Sequence, residues 1–547
     1  MDSRPAVGLR LFLATALPGL LLLGFLALYL VFPSADYTGD GTLFADLVRS
    51  YGHDDSPGYY RLFLHPHHIL YGPLATGFIS ALGSPPEGAL DSEILRLCHL
   101  SSLLGVVALG FFFWILRRAT GRPWIALAAT LLLGVSHGYW AFSVNVEVQA
   151  LNLLAVVLFL GALSRPPDRV GGLLLGAAHG FAVLCHLLNG LMVIPALWHL
   201  LSHRPAGRRG RVAWPLAAYA SAAVLVVAPV YLLALPWVGV GSLSELLGFL
   251  RPGEAGTYLS SPASGLLPAL AGLETVFLGP PRATAGVAMP WHLALRVALP
   301  VLLVGMLALR RDATLPPASS RLRRGAVVML AAYALLWLTW DVGNPEFLVW
   351  AVPPAVALLA MALTVRAYPV VVALCVSVGM IVGAYHFQTV FRPQSNPGNN
   401  RAWVVTQFIG AFTNPDDLIL ISGVGDYRIG KFYLRYFARR RRLVLQWEIL
   451  RQGEAPAAVQ AMRSALAEGH AAGRRVLATS ELFEPSTMRR LLDLHGFGIE
   501  HRDAVLRGWD RRVVARLPDG FTLWELVPGA AAGDSPLGTV PEGSPRI

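Results

Sequence analysis

Lysine is nearly missing from this chain: Lys431 stands alone among 44 basic residues, and charged side chains make up only 14% of the 547 positions. That is about half the charge of an average soluble domain, which argues against a freely soluble fold and a charge-rich disordered one alike. Cysteine is scarce too. Cys98, Cys185 and Cys375 lie far apart, each inside an apolar run, so they form neither a disulfide framework nor a metal or redox motif and read as small buried hydrophobes. No A-x-A cleavage site follows the first apolar run, which is too long for a signal peptide and reads as a retained helix. A full G-x-G-x-x-G is absent as well: GVGD (423–426) follows a strand pattern without the third glycine or a distal acid, which argues against a dinucleotide site.

Apolar residues are what the chain has in excess. They make up 55% of it, and the mean hydropathy is +0.54, which implies a polytopic membrane protein whose spans need roughly 20 apolar residues each. Apolar runs between loop signals place spans near 9–32, 93–116, 123–142, 148–164, 170–185, 187–202, 213–237, 291–310, 325–341, 346–365 and 368–388, about eleven crossings. Within the pair 170–202, His186 and Asn189 interrupt both short runs. The net charge of +11 does not point to nucleic acid, because arginines cluster in short gaps: RRATGR (117–122), SRPPDR (164–169), HRPAGRRGR (203–211) and RRDATLPPASSRLRR (310–324). Such gaps are cytoplasmic under the positive-inside rule. The expected topology is a cytoplasmic N-terminus in a bacterial inner membrane, with everything after residue 388 outside.

Two outer loops are then long, near 33–92 and 238–290. The first is acidic, with Asp36, Asp40, Asp46, Asp54, Asp55, Glu87 and Asp91 against Arg49 and Arg61. Leu43, Phe44, Leu47, Val48 and Tyr51 fall on one helical face, as in a helix lying in the interface plane, and residues 67–83 suggest a second one. Past residue 388 the composition changes. RPQSNPGNN (392–400) reads as a linker; strand patterns at 416–426, 441–447 and 473–480 alternate with helical ones at 457–469 and 485–496. That alternation predicts a small α/β domain with a largely parallel sheet. The domains expected are 1–388 in the membrane, 389–530 outside it as the extracytoplasmic α/β domain, and 531–547 as a disordered tail.

Several residues could carry chemistry. Asp40 precedes an amphipathic helix, where a short acid also suits an N-cap. His65, His67 and His68 in LHPHHILYGP suit hydrogen bonds to an anionic substrate, interfacial packing or, less naturally for H-P-H-H spacing, zinc. Glu147 sits where one crossing ends and the next begins. Arg96, at the start of the second crossing, suits bidentate binding of a lipid phosphate or snorkelling to headgroups. Ionisable groups at the membrane cost free energy, and together they indicate a site.

These stretches, in this order, resemble the C-type glycosyltransferase superfamily of membrane enzymes, and within it the bacterial protein O-mannosyltransferase-like branch. TGDGTLFADL and HPHHILYGPL stand where that branch has an acid and a His-Pro-Pro-Gly-Tyr-type stretch; RLCHLSSLLG (96–105), WAFSVNVEVQALNLL and GAAHGFAVLCHLLNGLMVIPAL (176–197) are similar to its following helices, and NPDDLILISGVGDYRIGKFYLRY to its external strand. The chain departs from the pattern at Leu43, in place of a second acid, at His67 and His68, in place of Pro-Gly, and at Glu346, where many relatives carry a cation.

The resemblance implies transfer of a hexosyl or mannosyl-type sugar from a polyprenyl-phosphate donor to an acceptor hydroxyl on protein, lipid or glycan at the outer face. Asp40 would be the general base. Glu147 would orient the acceptor or share the base role. Arg96, Arg61, His65, His67 and His186 would bind substrate and the departing phosphate. A divalent metal is used by some relatives and stays open here. The alternatives are a catalytically inactive scaffold or lipid-binding protein on the same fold, and a secondary transporter, for which no internal repeat is seen.

Overall fold

In the computed structural model the described residues are 4–83, 92–202, 213–250, 266–279, 316–339, 344–363, 368–424 and 430–529. The expected span 291–310, residues 251–265 and 280–290 of the second outer loop, Glu87, Asp91, Gly425, Asp426 and the tail 531–547 lie outside them. The chain divides into two compact units. The first comprises 1–34, 47–86 and 92–395; the second comprises 35–46, 87–91 and 396–547.

The first unit is helical. Its elements are α1 (Arg4–Val31), the end of α2 (Gly39–Ser50), α3 (Pro57–Phe63), α4 (Tyr71–Ala81), α5 (Ser92–Thr120), α6 (Pro123–Val135), α7 (His137–Ser143), α8 (Gln149–Leu163), α9 (Arg169–Cys185), α10 (Val193–Ser202), α11 (Ala213–Ala234), α12 (Leu243–Leu250), α13 (Leu266–Leu278), α14 (Pro317–Thr339), α15 (Val352–Ala362) and α16 (Tyr368–His386). Among described residues, four helices are long and apolar enough to cross a membrane: Glu93–Thr120, Ala213–Ala234, Pro345–Ala362 and Val372–Gln394. Other expected crossings, such as 148–164, 170–185 and 187–202, are shorter apolar helices. The chain is a multi-pass membrane protein, with fewer full-length spans among the described residues than the eleven the apolar runs suggest.

In lipid the hydrophobic effect does not hold helices together, so small residues and polar contacts must. Helix α9 carries Gly172, Gly176 and Gly180 four residues apart. A Cβ at Gly172 would meet the Pro215 carbonyl, one at Gly176 the Tyr219 carbonyl, and one at Gly180 Val226 and the Ala223 carbonyl. That glycine stripe lets α9 lie directly on the backbone of α11. Trp140, Trp350, Tyr139, Phe112 and Phe159 fill the core of the unit, each under 2% exposed.

The expected span 123–142 is bent by 68° between α6 and α7, at an extended Ser136. A break in hydrocarbon frees carbonyls that must find other donors. Here Ser136 Oγ donates to Leu133 O at 2.7 Å, Tyr29 OH to Gly134 O at 2.7 Å and His386 Nδ1 to Val135 O at 2.8 Å. Every freed carbonyl of that turn is thus satisfied from α1, α16 or the turn itself.

The second unit holds a five-stranded sheet of order β2-β1-β3-β5-β4, where β1 is Leu418–Ile421, β2 Arg441–Val444, β3 Val476–Thr479, β4 Trp509–Arg516 and β5 Thr522–Pro528. Strands β2, β1 and β3 are parallel, and β5 and β4 are added antiparallel. Helices α17 (Arg401–Phe412), α18 (Gly430–Tyr436), α19 (Leu445–Gln452), α20 (Ala455–Ala471), α21 (Pro485–His495) and α22 (Ile499–Leu506) complete it. The terminal hairpin went unread because Asp510, Arg511 and Arg512 break the apolar pattern at an exposed edge strand. The expected linker 392–400 is instead a run of helical turns, whose last residue, Asn400, caps α17 by accepting from Trp403 N at 3.2 Å.

Candidate functional site

In the first unit, the loop after α3 docks into a break in the α9–α10 run. His186 is extended at the end of α9; Leu187 N donates to His67 O at 3.0 Å and Leu70 N to Leu184 O at 3.5 Å. These bonds bring four imidazoles together, with ring centres 5.1 Å apart for His65 and His67, 4.8 Å for His65 and His68, and 5.8 Å for His67 and His186. His65 Nδ1 accepts from His67 N at 3.3 Å, and His186 Nδ1 accepts from Leu188 N at 3.3 Å. Both rings are therefore neutral with the proton on Nε2, which leaves an N–H to offer. Burial, and then the neighbouring His67, hold His65 down to about 4. Burial also lowers His67 and holds His68 well below the ordinary histidine value. The cluster is a set of neutral hydrogen-bond donors, not a cationic patch.

A metal does not fit these rings as they lie. His65 and His68 are stacked, with planes 21° apart, and the Nδ1 atoms of His65 and His186 already accept backbone N–H groups. Among the described residues no group of three His, Cys, Asp or Glu is placed to hold a metal ion.

Glu147 lies in the segment joining α7 to α8 and is 5% exposed. Its charge acts on the buried hydroxyl of Tyr71, which burial first and Glu147 second push well above the usual tyrosine range. Two residues on, Gln149 starts a buried polar chain that the sequence reading missed. Its Nε2 donates to Glu346 Oε1 at 2.9 Å, and its Oε1 accepts from Trp350 Nε1 at 2.6 Å. Asn189 Nδ2 donates to Asn152 Oδ1 at 2.5 Å and to Ala182 O at 2.8 Å. Trp350 in turn packs edge-on to His186 at 4.8 Å, so the histidines and the polar chain share one wall. The signal was present in EVQALN, where Gln149 and Asn152 share a helical face of an otherwise apolar segment. Glu346, noted as a departure, is held by Gln149 and by Asn344, whose Oδ1 accepts from Glu346 N at 3.0 Å.

The two arginines sit apart from that wall in their bonding. Arg61 donates from Nε to Val238 O at 2.9 Å, and Arg96 donates to Gly83 O. Arg49, read only as a counter-charge, forms a two-donor ion pair with Glu93, 2.8 Å from Nε and 2.5 Å from Nη2.

Asp40 belongs to the second unit. It is exposed in the first turn of α2 and is not the cap: Thr38 Oγ1 accepts from Gly41 N at 2.9 Å. Its segment is clasped by the C-terminal residues. Asn400 Nδ2 donates to Ala35 O at 2.7 Å and to Tyr433 OH at 2.9 Å; Tyr433 OH donates to Tyr37 O at 2.7 Å; Arg435 Nε pairs with Asp46 at 2.7 Å. A Cβ at Gly39 would press on the Phe432 ring.

This architecture is the fold of the C-type membrane glycosyltransferases. The structure of ArnT from Cupriavidus metallidurans bound to undecaprenyl phosphate matches with a TM-score of 0.55 at 15% identity, over 95% of this chain and 99% of that one. The Archaeoglobus fulgidus oligosaccharyltransferase tethered to an acceptor peptide containing the NVT sequon matches with a TM-score of 0.50 at 12% identity, over 95% of this chain and 75% of that one. Residues 89–244, which include Arg96, Glu147 and His186, match the family model of the dolichyl-phosphate-mannose-protein mannosyltransferases. The segment matched by that family model contains RLCHLSSLLG, WAFSVNVEVQALNLL and GAAHGFAVLCHLLNGLMVIPAL, three of the stretches that carry the resemblance. No curated protein matches the chain.

Proposed function

We propose that the protein is a glycosyltransferase that moves a hexosyl group from a polyprenyl-phosphate donor to an acceptor hydroxyl on the outer face of a bacterial inner membrane. The observation that carries this reading is the mannosyltransferase family match over 89–244, in a chain with this fold and with buried Glu147 inside the matched region.

In the reaction, the acceptor oxygen forms a bond to the anomeric carbon while the bond from that carbon to the phosphate oxygen breaks. Asp40, as general base, takes the hydroxyl proton, a role that contributes roughly 10²–10⁴-fold. Polyprenyl phosphate leaves with the bonding electrons. Neutral N–H donors of His65, His67 and His186 bind substrate oxygens, and Arg61 and Arg96 are the cations for the phosphate, as preorganised donors and charges serve a developing anion. Glu147 orients the acceptor or shares the base role.

The test is a transfer assay in membranes supplied with polyprenyl-phosphate sugars, comparing wild type with Asp40→Asn and Glu147→Gln. Transfer by wild type that falls at least 100-fold in Asp40→Asn, with insertion intact, supports the reading. Equal transfer in Asp40→Asn moves the base to Glu147. No transfer from any common donor favours a scaffold on this fold.

A further inference from the structure

One end of the helical unit is rich in arginine and tryptophan. Ser319 Oγ donates to Ala119 O at 2.5 Å and Arg321 Nε to Ser164 O at 3.1 Å, so the end of α5, the end of α8 and the start of α14 lie together. Arg118 sits over Trp114, 5.7 Å from its ring centre, and Arg169 over Trp214 at 5.9 Å. Arginines beside a tryptophan belt mark the headgroup level, and the charge rule places this end in the cytoplasmic leaflet.

At this end a groove of about 350 Å³ opens between α10, α14 and α15. Arg323 and Arg324 stand at it beside Trp198, while Val327, Val328, Leu358 and Ala362 line the rest. Val327 and Trp198 are about half exposed. Among the described residues no carboxylate pairs with either arginine, in contrast to Arg49 with Glu93. The groove therefore offers two guanidinium groups without a carboxylate partner among the described residues at one rim, and an aliphatic trough beside them. Scattered snorkelling arginines need no trough, and an apolar ligand needs no arginines.

We infer that this groove binds one anionic glycerophospholipid of the cytoplasmic leaflet, its phosphate on Arg323 and Arg324 and an acyl chain along Val327, Val328 and Leu358. Basic pockets between membrane helices on the cytoplasmic side hold lipid headgroups by this combination of charge and apolar surface. The site is independent of the transfer chemistry and lies on the arginine-rich end, where no residue proposed for that chemistry falls.

The experiment is native mass spectrometry of the full chain, released from detergent after titration with phosphatidylglycerol or phosphatidylcholine. Wild type should retain one phosphatidylglycerol in preference to phosphatidylcholine. Arg323→Gln and Arg324→Gln should each weaken retention roughly fivefold, the scale of one basic group at an anionic surface. Arg118→Gln, at the same end but outside the groove, should retain the lipid as wild type does. Val328→Trp keeps both arginines and fills the trough, and should also lose it. Equal retention in Arg323→Gln and Arg118→Gln, equal binding of phosphatidylcholine, or full retention in Val328→Trp would each overturn the assignment. A thermal unfolding midpoint within a few degrees of wild type qualifies each variant as folded.

Discussion

The clasp on residues 35–46 gives the sharpest quantitative test. Tyr433 is fully buried, and its hydroxyl both donates to Tyr37 O and accepts from Asn400 Nδ2. Tyr433→Phe keeps the ring contacts with Tyr37 and Phe437, at 6.4 and 5.1 Å, and removes only that oxygen. Two buried polar groups then each lose one partner, the Tyr37 carbonyl and Asn400 Nδ2. Each such loss costs about 1–3 kcal/mol, but Asn400 retains Ala35 O, so a total of about 1–2 kcal/mol is expected. That raises the released fraction of the segment about 5–30-fold. Hydrogen exchange on the full chain in detergent reads this directly: amides of Thr42 and its neighbours should exchange about 5–30-fold faster, with strands β1 and β3 unchanged. Exchange as slow as wild type would refute the reasoning, because it would mean that the hydroxyl does not hold the segment. If Asp40 is the base, transfer should fall with the docked fraction.

Other outcomes follow from packing and burial. Gly176→Leu should lower stability by about 3 kcal/mol or more, because the added side chain meets the Tyr219 backbone, which cannot step aside; Gly190→Ala, with nothing within 4 Å, should cost under about 0.5 kcal/mol in the same thermal unfolding assay. Glu481 is buried in the second unit, and burial pushes it up to about 7, against hydrogen bonds from Ser422 that lower it. The folded state then holds a proton that the unfolded chain has lost, so this unit's stability should fall as pH rises from about 4.5 to about 7 and level off above. Glu481→Gln should flatten that slope in pH-dependent unfolding. His65 has the opposite sign: the unfolded ring titrates near 6.5 and the folded one near 4, so its contribution should rise between those values. His65→Asn should remove the rise.

Much of the site's neighbourhood was legible in the residues. Glu147 and the histidines are costly groups in an apolar chain, and cost is visible in composition. What they do to each other was not. The three loop histidines suited hydrogen bonds to an anionic substrate, packing or zinc alike; the Nδ1 atoms of His65 and His186 accept backbone N–H groups, and burial keeps His65 neutral. For Asp40 the sequence left an N-cap open beside the base role, whereas Thr38, two residues earlier, is the cap. Gln149, Asn152 and Trp350 went unread because an isolated amide or indole in an apolar run has no partner in sequence; the partners stand on other helices.

By itself the sequence determined the membrane class, the arginine-rich end and the strand–helix alternation of the tail, because hydropathy, charge and local periodicity are properties of neighbouring residues. Tertiary structure alone decided that His186 meets the loop histidines through a break in α9–α10, and that the freed carbonyls of α6 are satisfied from α1 and α16. It also decided that Asp40's segment is clasped by Asn400 and Tyr433, some 360 and 390 residues further along the chain. Such bonds join groups whose need for a partner is written locally, while the identity of the partner depends on the path of the whole chain.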